Sequence, residues 1–200
     1  ALVFNGTTNV ISGVAVGGLP DGIVDTDMLA ANAVTEAKAT GSVKGILNVH
    51  QFRLTSSLTQ SGNGTDNDLS ANWEKVDDAA AGGTIGSFSD PSSGVFTFSS
   101  TGIWRVDFNS RHYVSSSKYA GHRVKATTDD GSNYDELAQV YAWVTGGYSY
   151  SFHSCVVMDV TNVSTHKIKF VCFGDGSAVQ HTGSSTTNQT YVTFMRLGDT

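Results

Sequence analysis

The stretch GVFTFSSTGIWRVDF, residues 94–108, decides the fold. Successive side chains of a β-strand point to opposite faces, so Phe96 and Phe98 share one face, and Trp104, Val106 and Phe108 share another. The Ser-Ser-Thr-Gly between the two sets supplies the turn. The same alternation recurs outward from this stretch. His50, Phe52 and Leu54 line one face, and further alternating runs cover residues 122–127, 137–144, 150–160, 166–173 and 191–197, where Phe170 and Phe194 join the expected core. Asp130-Gly131 and Asp175-Gly176 read as hairpin turns, because glycine accepts the left-handed backbone that tight turns demand. Short strands at this spacing, with no helical stretch between them, predict a mainly β protein, an antiparallel sandwich or barrel.

The bulk composition agrees. The chain has 200 residues with 22 Gly and only 2 Pro, and its charged fraction of 15% disfavours a helical bundle. That length buries a core of ordinary size without metal or disulfide staples, and suits one jelly roll plus an appendage. The net charge of −6, with no basic run, argues against a nucleic-acid or anionic-membrane partner. No apolar stretch approaches the roughly 20 residues of a membrane span, so no membrane insertion is expected. The N-terminus ALVFNGTTNV lacks the charged start and long apolar run of a secretory signal, and reads as the native start of a chain made in the cytoplasm. Cys155 and Cys172 each fall inside an apolar strand pattern; two buried thiols are expected, with a cross-strand disulfide as the alternative.

Residues 1–47 differ in texture from residues 48–200. Ala, Val, Gly and Thr dominate, and after Phe4 the segment has no aromatic residue. Pro20-Asp21-Gly22 marks a turn, after which Asp25, Thr26 or Asp27 can cap a helix with Val24, Met28, Leu29, Val34 and Ala37 on an apolar stripe, ending at Gly41. A helix of about three turns with so few large apolar groups is marginal alone in water. It needs neighbours, which copies packed about an axis or a larger particle would supply. Phe4, Val24, Met28, Leu29 and Val34 are therefore the expected anchoring and trimerisation residues.

Candidate chemistry is sparse. The paired carboxylates Asp77-Asp78, Asp129-Asp130 and Asp135-Glu136 are adjacent in sequence, so on a strand they point to opposite faces rather than across a cleft. Asn63, Asp66 and Asp68 in GNGTDND, and DDGSNYDE at 129–136, are rich in oxygen ligands but lack the spacing of a calcium loop, and read as polar loops. The six histidines show no ligand spacing, and neither a nucleophile elbow nor a phosphate-cradling loop is present. No catalytic residue, metal site or cofactor is expected.

Residues 94–108 resemble the signature of complement-head and tumour-necrosis-factor-like domains, an aromatic pair, a glycine-containing turn and an aromatic strand, although Ser-Thr-Gly-Ile-Trp stands where that family usually has Pro-Gly-Tyr. SCVVMDVTNVSTHKIKF, 154–170, resembles the family's penultimate hairpin, and TYVTFMRLGDT, 190–200, its closing strand. The resemblance implies a homotrimeric jelly roll of about ten strands over residues 48–200. GLPDGIVDTDMLAANAVTEAK, 18–38, is similar to the attachment segments of phage and prophage fibre proteins, which implies a virion protein fixed through residues 1–47 to other phage structural proteins.

In a jelly roll the connections alternate between the two ends, so the far end is expected to gather the loops near residues 61–68, 115–120, 145–150 and 174–188. These carry Tyr119, Tyr148, Tyr150 and His181 among small polar residues, a good contact chemistry for a host-surface glycan or protein. The reading that follows is a short tail or capsid fibre for host attachment. The alternative is a capsid decoration protein, favoured by the lack of a shaft or repeat array. A secreted ligand would need a leader and usually a stem, and an enzyme comes last.

Overall fold

A computed structural model describes residues 3–5, 7, 10–12, 46, 48–77 and 83–200. The chain divides into two compact units, Ala1–Val43 and Lys44–Thr200. In the first, β1 (Val3–Asn5) pairs antiparallel with β2 (Val10–Ser12), with Phe4 opposite Ile11. The helix expected around Val24, Met28, Leu29 and Val34 lies outside the described residues.

The second unit is built from two antiparallel sheets. One has five strands: β5 (Asn67–Asp68), β7 (Val95–Thr97), β9 (Lys118–Thr127), β10 (Asp135–Val144) and β12 (Lys167–Gly174). Its order runs β10, β9, β12, with β7 and β5 side by side against β12. The other has seven: β3 (Asn48–Leu54), β4 (Leu58–Thr59), β6 (Trp73–Lys75), β8 (Gly102–Val114), β11 (Tyr148–Val160), β13 (Val179–His181) and β14 (Tyr191–Gly198). Strand β8 pairs along its whole length with β11 on one side; on the other it pairs first with β14 and then with β13. This is an antiparallel jelly roll.

The decisive stretch crosses between the sheets. Strand β7 lies in the five-stranded sheet and β8 in the seven-stranded one, so Phe96 and Trp104 enter the core from opposite walls. Gly102 makes the crossing possible. Its φ is +134°, and a Cβ there would sit 2.4 Å from the Gly198 carbonyl oxygen. Asp130-Gly131, with both φ values positive, turns β9 back into β10 as expected. Asp175-Gly176 does not form a hairpin. It leads through a short 3-10 turn (Gly176–Ala178) to β13, which pairs with β8 in the other sheet rather than with β12.

Phe96, Phe98, Trp104, Val106, Phe108, Phe170 and Phe194 are all buried. Phe194 sits within ring contact of Phe52, Phe88, Phe96, Phe98 and Phe170, with centroids 4.6 to 6.3 Å away. These aromatics fill one half of the sandwich; a second apolar cluster of Val114, Ala120, Val144, Phe152 and Val179 closes the other. Cys172 is buried, but Cys155 is exposed and both thiols are free. Ser154 and Val156 take the inward positions on β11, which turns Cys155 outward and rules out both a buried pair and a disulfide.

Phe194→Ala removes the ring that joins the two walls and leaves a cavity. It is expected to cost about 3–5 kcal/mol, read as a lowered midpoint in denaturant unfolding.

Candidate functional site

Registers place the two ends of the β unit. Asn48 lies opposite Arg196, which lies opposite Trp104, so the chain enters at the start of β8. Val114, Tyr148 and Val179 mark the opposite end. There the loops interlock: Gly64 donates its N–H to the Gly174 carbonyl at 2.8 Å, Ser115 donates to Ala178 at 2.8 Å, and Gly146 donates to the Ser117 hydroxyl at 3.1 Å. The remainder of the last loop departs from this end, with Ser184 donating to Leu54 and Gly183 packed on Ser56.

The four residues expected at this end divide. Tyr148 is exposed. Tyr150 is half-buried and uses its hydroxyl internally, accepting from the Thr145 N–H and donating to the Thr145 carbonyl, both at 3.1 Å, which pins the turn. His181 is fully buried, which corrects its expected place on the surface: it belongs to β13 and faces the interior. Tyr119 is exposed on the five-stranded sheet, and its neighbours there are residues that the alternation pattern had not singled out.

Trp143 lies directly across from Tyr119 on β10, ring centroids 4.9 Å apart and edge to face. Tyr141 lies 6.0 Å from Tyr119 and 5.9 Å from Phe173. Tyr141 pairs with Gly121, where any Cβ would come within 2.2 Å of the Val140 carbonyl oxygen, so the glycine lets the strands meet here. Arg123 stacks on Phe173 at 4.2 Å and is held from the side by Asp66 and Glu136. The result is a band of aromatic rings, Trp143, Tyr119, Tyr141 and Phe173, beside an open bowl of about 370 Å³ whose polar lining is Arg123, Gln139 and Asp175. Trp143 and Tyr141 are 59% and 55% exposed, a large apolar surface to leave in water. Apart from Gln139, residues 137–144 are apolar on both faces, more than a half-buried strand requires, and that is the available signal.

The oxygen-rich loops are internally satisfied. Asp66 pairs with Arg123 and Lys125, and Asp68 with Lys169 at 2.7 Å. Asp129 accepts from the Thr127 hydroxyl at 2.6 Å and from the backbone and side-chain N–H groups of Asn133, which hold its carboxyl down at about 2. Asp130 pairs with Lys167 and Glu136 with Arg123. Their donors are side-chain cations, N–H groups and the Thr127 hydroxyl.

A polar chain runs through the interior between the two apolar clusters. Gln60 donates its amide N–H groups to the Gly62 and Thr65 carbonyls at 2.9 and 2.6 Å, so its oxygen accepts from His181 Nε2–H at 3.0 Å. His181 Nδ1 is then an acceptor and faces His112 Nδ1 at 3.1 Å, which donates. His112 Nε2 accepts from Ser110 at 2.7 Å, Ser110 accepts from His122 Nδ1 at 2.7 Å, and His122 Nε2 accepts from Ser154 at 2.8 Å. One fixed amide thereby sets the tautomer of three neutral rings. Burial lowers the pKa of His122 and His181 to about 4, and pushes His112 well below its usual value, with the neighbouring rings adding to the effect. Cys172 lies beside this chain, its thiol pushed up by burial. His112, His181 and Cys172 bring three ligand atoms within 4.8 Å of one another.

These rings are neutral when folded but protonate near 6.5 when unfolded, so the unfolded state binds more protons between the two values. The stability these neutral rings contribute is present above about pH 6.5 and is lost as pH falls toward about 4. Thermal unfolding across that window, in protein treated with chelator, is expected to show a falling midpoint; a flat midpoint there would contradict the neutral assignment.

No helix among the described residues is long and apolar enough to cross a membrane. No family model matches the chain, and no curated protein matches it. Among solved structures it is similar to Eiger TNF from S. frugiperda, with 12% identity, 78% of this chain and 95% of that one covered, and a TM-score of 0.57. It is likewise similar to murine APRIL at 12% identity, with 75% and 98% covered and a TM-score of 0.54. At this identity the likeness concerns the fold: the β unit is a jelly roll shaped like those two proteins.

Proposed function

We propose that this chain is a phage virion protein, in which residues 1–47 fix it to the particle and residues 48–200 form a homotrimeric head that touches the host surface. The single observation that carries the contact role is the exposed band of Trp143, Tyr119 and Tyr141 beside Arg123, Gln139 and Asp175. Flat aromatic faces accept the C–H face of a sugar ring, and planar polar side chains bond its hydroxyls. A host-surface glycan is the ligand class this mixture suits. Tyr148, at the loop end, extends the contact surface.

The trimer reading draws on the resemblance of residues 94–108 and on the outward face of the seven-stranded sheet. Val157 and Leu197 are exposed there, near half-buried Ile103 and Met195, and Tyr113 is exposed at the other end of the same face. Packing copies against this face would dry it. Three heads on one particle also raise effective concentration, so each contact can be weak. The virion reading draws on residues 18–38, whose wording is similar to phage attachment segments.

Two measurements test this. Sedimentation of the purified chain should give three times 21.1 kDa; a stable monomer at micromolar concentration would overturn the trimer. The isolated head should adsorb to host bacteria, and Tyr141→Ala with Trp143→Ala should weaken adsorption by about tenfold or more. A head that binds capsids tightly and stoichiometrically but never cells would make it a decoration protein instead.

A further inference from the structure

We propose that His112, His181 and Cys172 form a mononuclear site for a zinc-class metal ion inside each β unit. The three residues come from β8, β13 and β12, so the site draws on both sheets. Their ligand atoms lie within 4.8 Å of one another, and the two imidazole Nδ1 atoms are 3.1 Å apart. Tetrahedral zinc holds nitrogen at about 2.0–2.1 Å and sulfur at about 2.3 Å, which puts donors roughly 3.3–3.6 Å apart. The nitrogens, 3.1 Å apart, need to open by only a few tenths of an ångström, and a movement of about 1 Å by the thiol completes the set.

The donor chemistry selects the metal. Two imidazoles and a thiol suit zinc and its neighbours, whereas magnesium and calcium want oxygen. Supporting contacts are also in place. Metal-bound histidines orient themselves by giving their other ring N–H to a fixed acceptor. His181 Nε2 faces the Gln60 oxygen, and Gln60 is held by two backbone carbonyls. His112 Nε2 faces Ser110. Both Nδ1 atoms are thus left facing each other, with the Cys172 thiol in the same cluster.

The protons balance. Binding deprotonates Cys172 and releases that proton to solvent. The proton of His112 moves from Nδ1 to Nε2 and is donated to Ser110; Ser110 turns its hydroxyl to His122 Nδ1; the His122 proton moves to Nε2 and is donated to Ser154. The chain reverses direction without gaining or losing a proton, so one proton leaves per ion. Three protein ligands leave a fourth position for water or a small anion.

The site is enclosed, so the ion is loaded during folding. The full chain carrying Cys155→Ser, which leaves Cys172 as the sole thiol, is unfolded with chelator and refolded with cobalt(II) or zinc(II). The expected result is one ion retained per chain through gel filtration. The cobalt form should show tetrahedral visible bands and a near-ultraviolet thiolate-to-metal band, and the zinc form should melt higher than the chelator-refolded form. Adding Cys172→Ala should abolish the thiolate band and weaken retention by about a hundredfold, and Gln60→Ala should weaken it by about 10–100-fold. The thiolate band in the Cys155→Ser protein decides the matter even where a further variant fails to fold. Retention well below one equivalent, a cobalt spectrum without that band, or a folded Cys172→Ala protein that holds the ion equally well would each overturn the proposal.

Discussion

The structure depends on one constraint: all inward positions of β8 must be dry. Strand β8 keeps a strict two-residue alternation over 13 residues and sits between β11 and the pair β14 and β13, so no inward side chain has a route to water. Its first half meets the constraint with Trp104, Val106 and Phe108. Its second half carries Ser110 and His112, and there dryness has to be reconciled with hydrogen bonding. An unpaired buried donor or acceptor costs about 1–3 kcal/mol. Ser110 bridges two imidazoles at 2.7 Å each, and the chain runs from Ser154 to Gln60, which reaches backbone carbonyls. Each member depends on the next, which makes this half of the core polar yet specific.

The other consequence is a division of labour between the sheets. Strand β10 is an edge, covered on one side by β9 only. The inward side chains of β10, Val140 and Val144, pack on the second apolar cluster, while the outward Tyr141 and Trp143 stand on a rigid wall rather than on a loop. Rings fixed in this way lose little freedom on contact, which suits repeated weak binding.

What could be read from the sequence follows the same physics. Alternation in residues 94–108 identified the buried aromatics, since period two is a property of any strand. It could not say that Phe96 and Trp104 belong to different sheets, because alternation fixes a face and leaves the partner open. His181 falls in the connection read as a loop over residues 174–188, because the three residues of β13 are too few to show an alternation; the strand pairs with β8 and turns His181 inward. Cys155 was misread because Ser154, a polar residue, takes the inward slot beside His122. The meeting of His112, His122, His181 and Cys172 arises from four strands in register, and no spacing along the chain encodes it.

The central claim is that this inward stripe is held by neutral imidazoles in fixed tautomers. Nitrogen-15 NMR of the imidazole rings in metal-free protein at neutral pH tests it most directly. The account predicts His181 protonated on Nε2, and His112 and His122 protonated on Nδ1, each as a single neutral tautomer. Imidazolium shifts, or averaging between tautomers on these three rings, would contradict it.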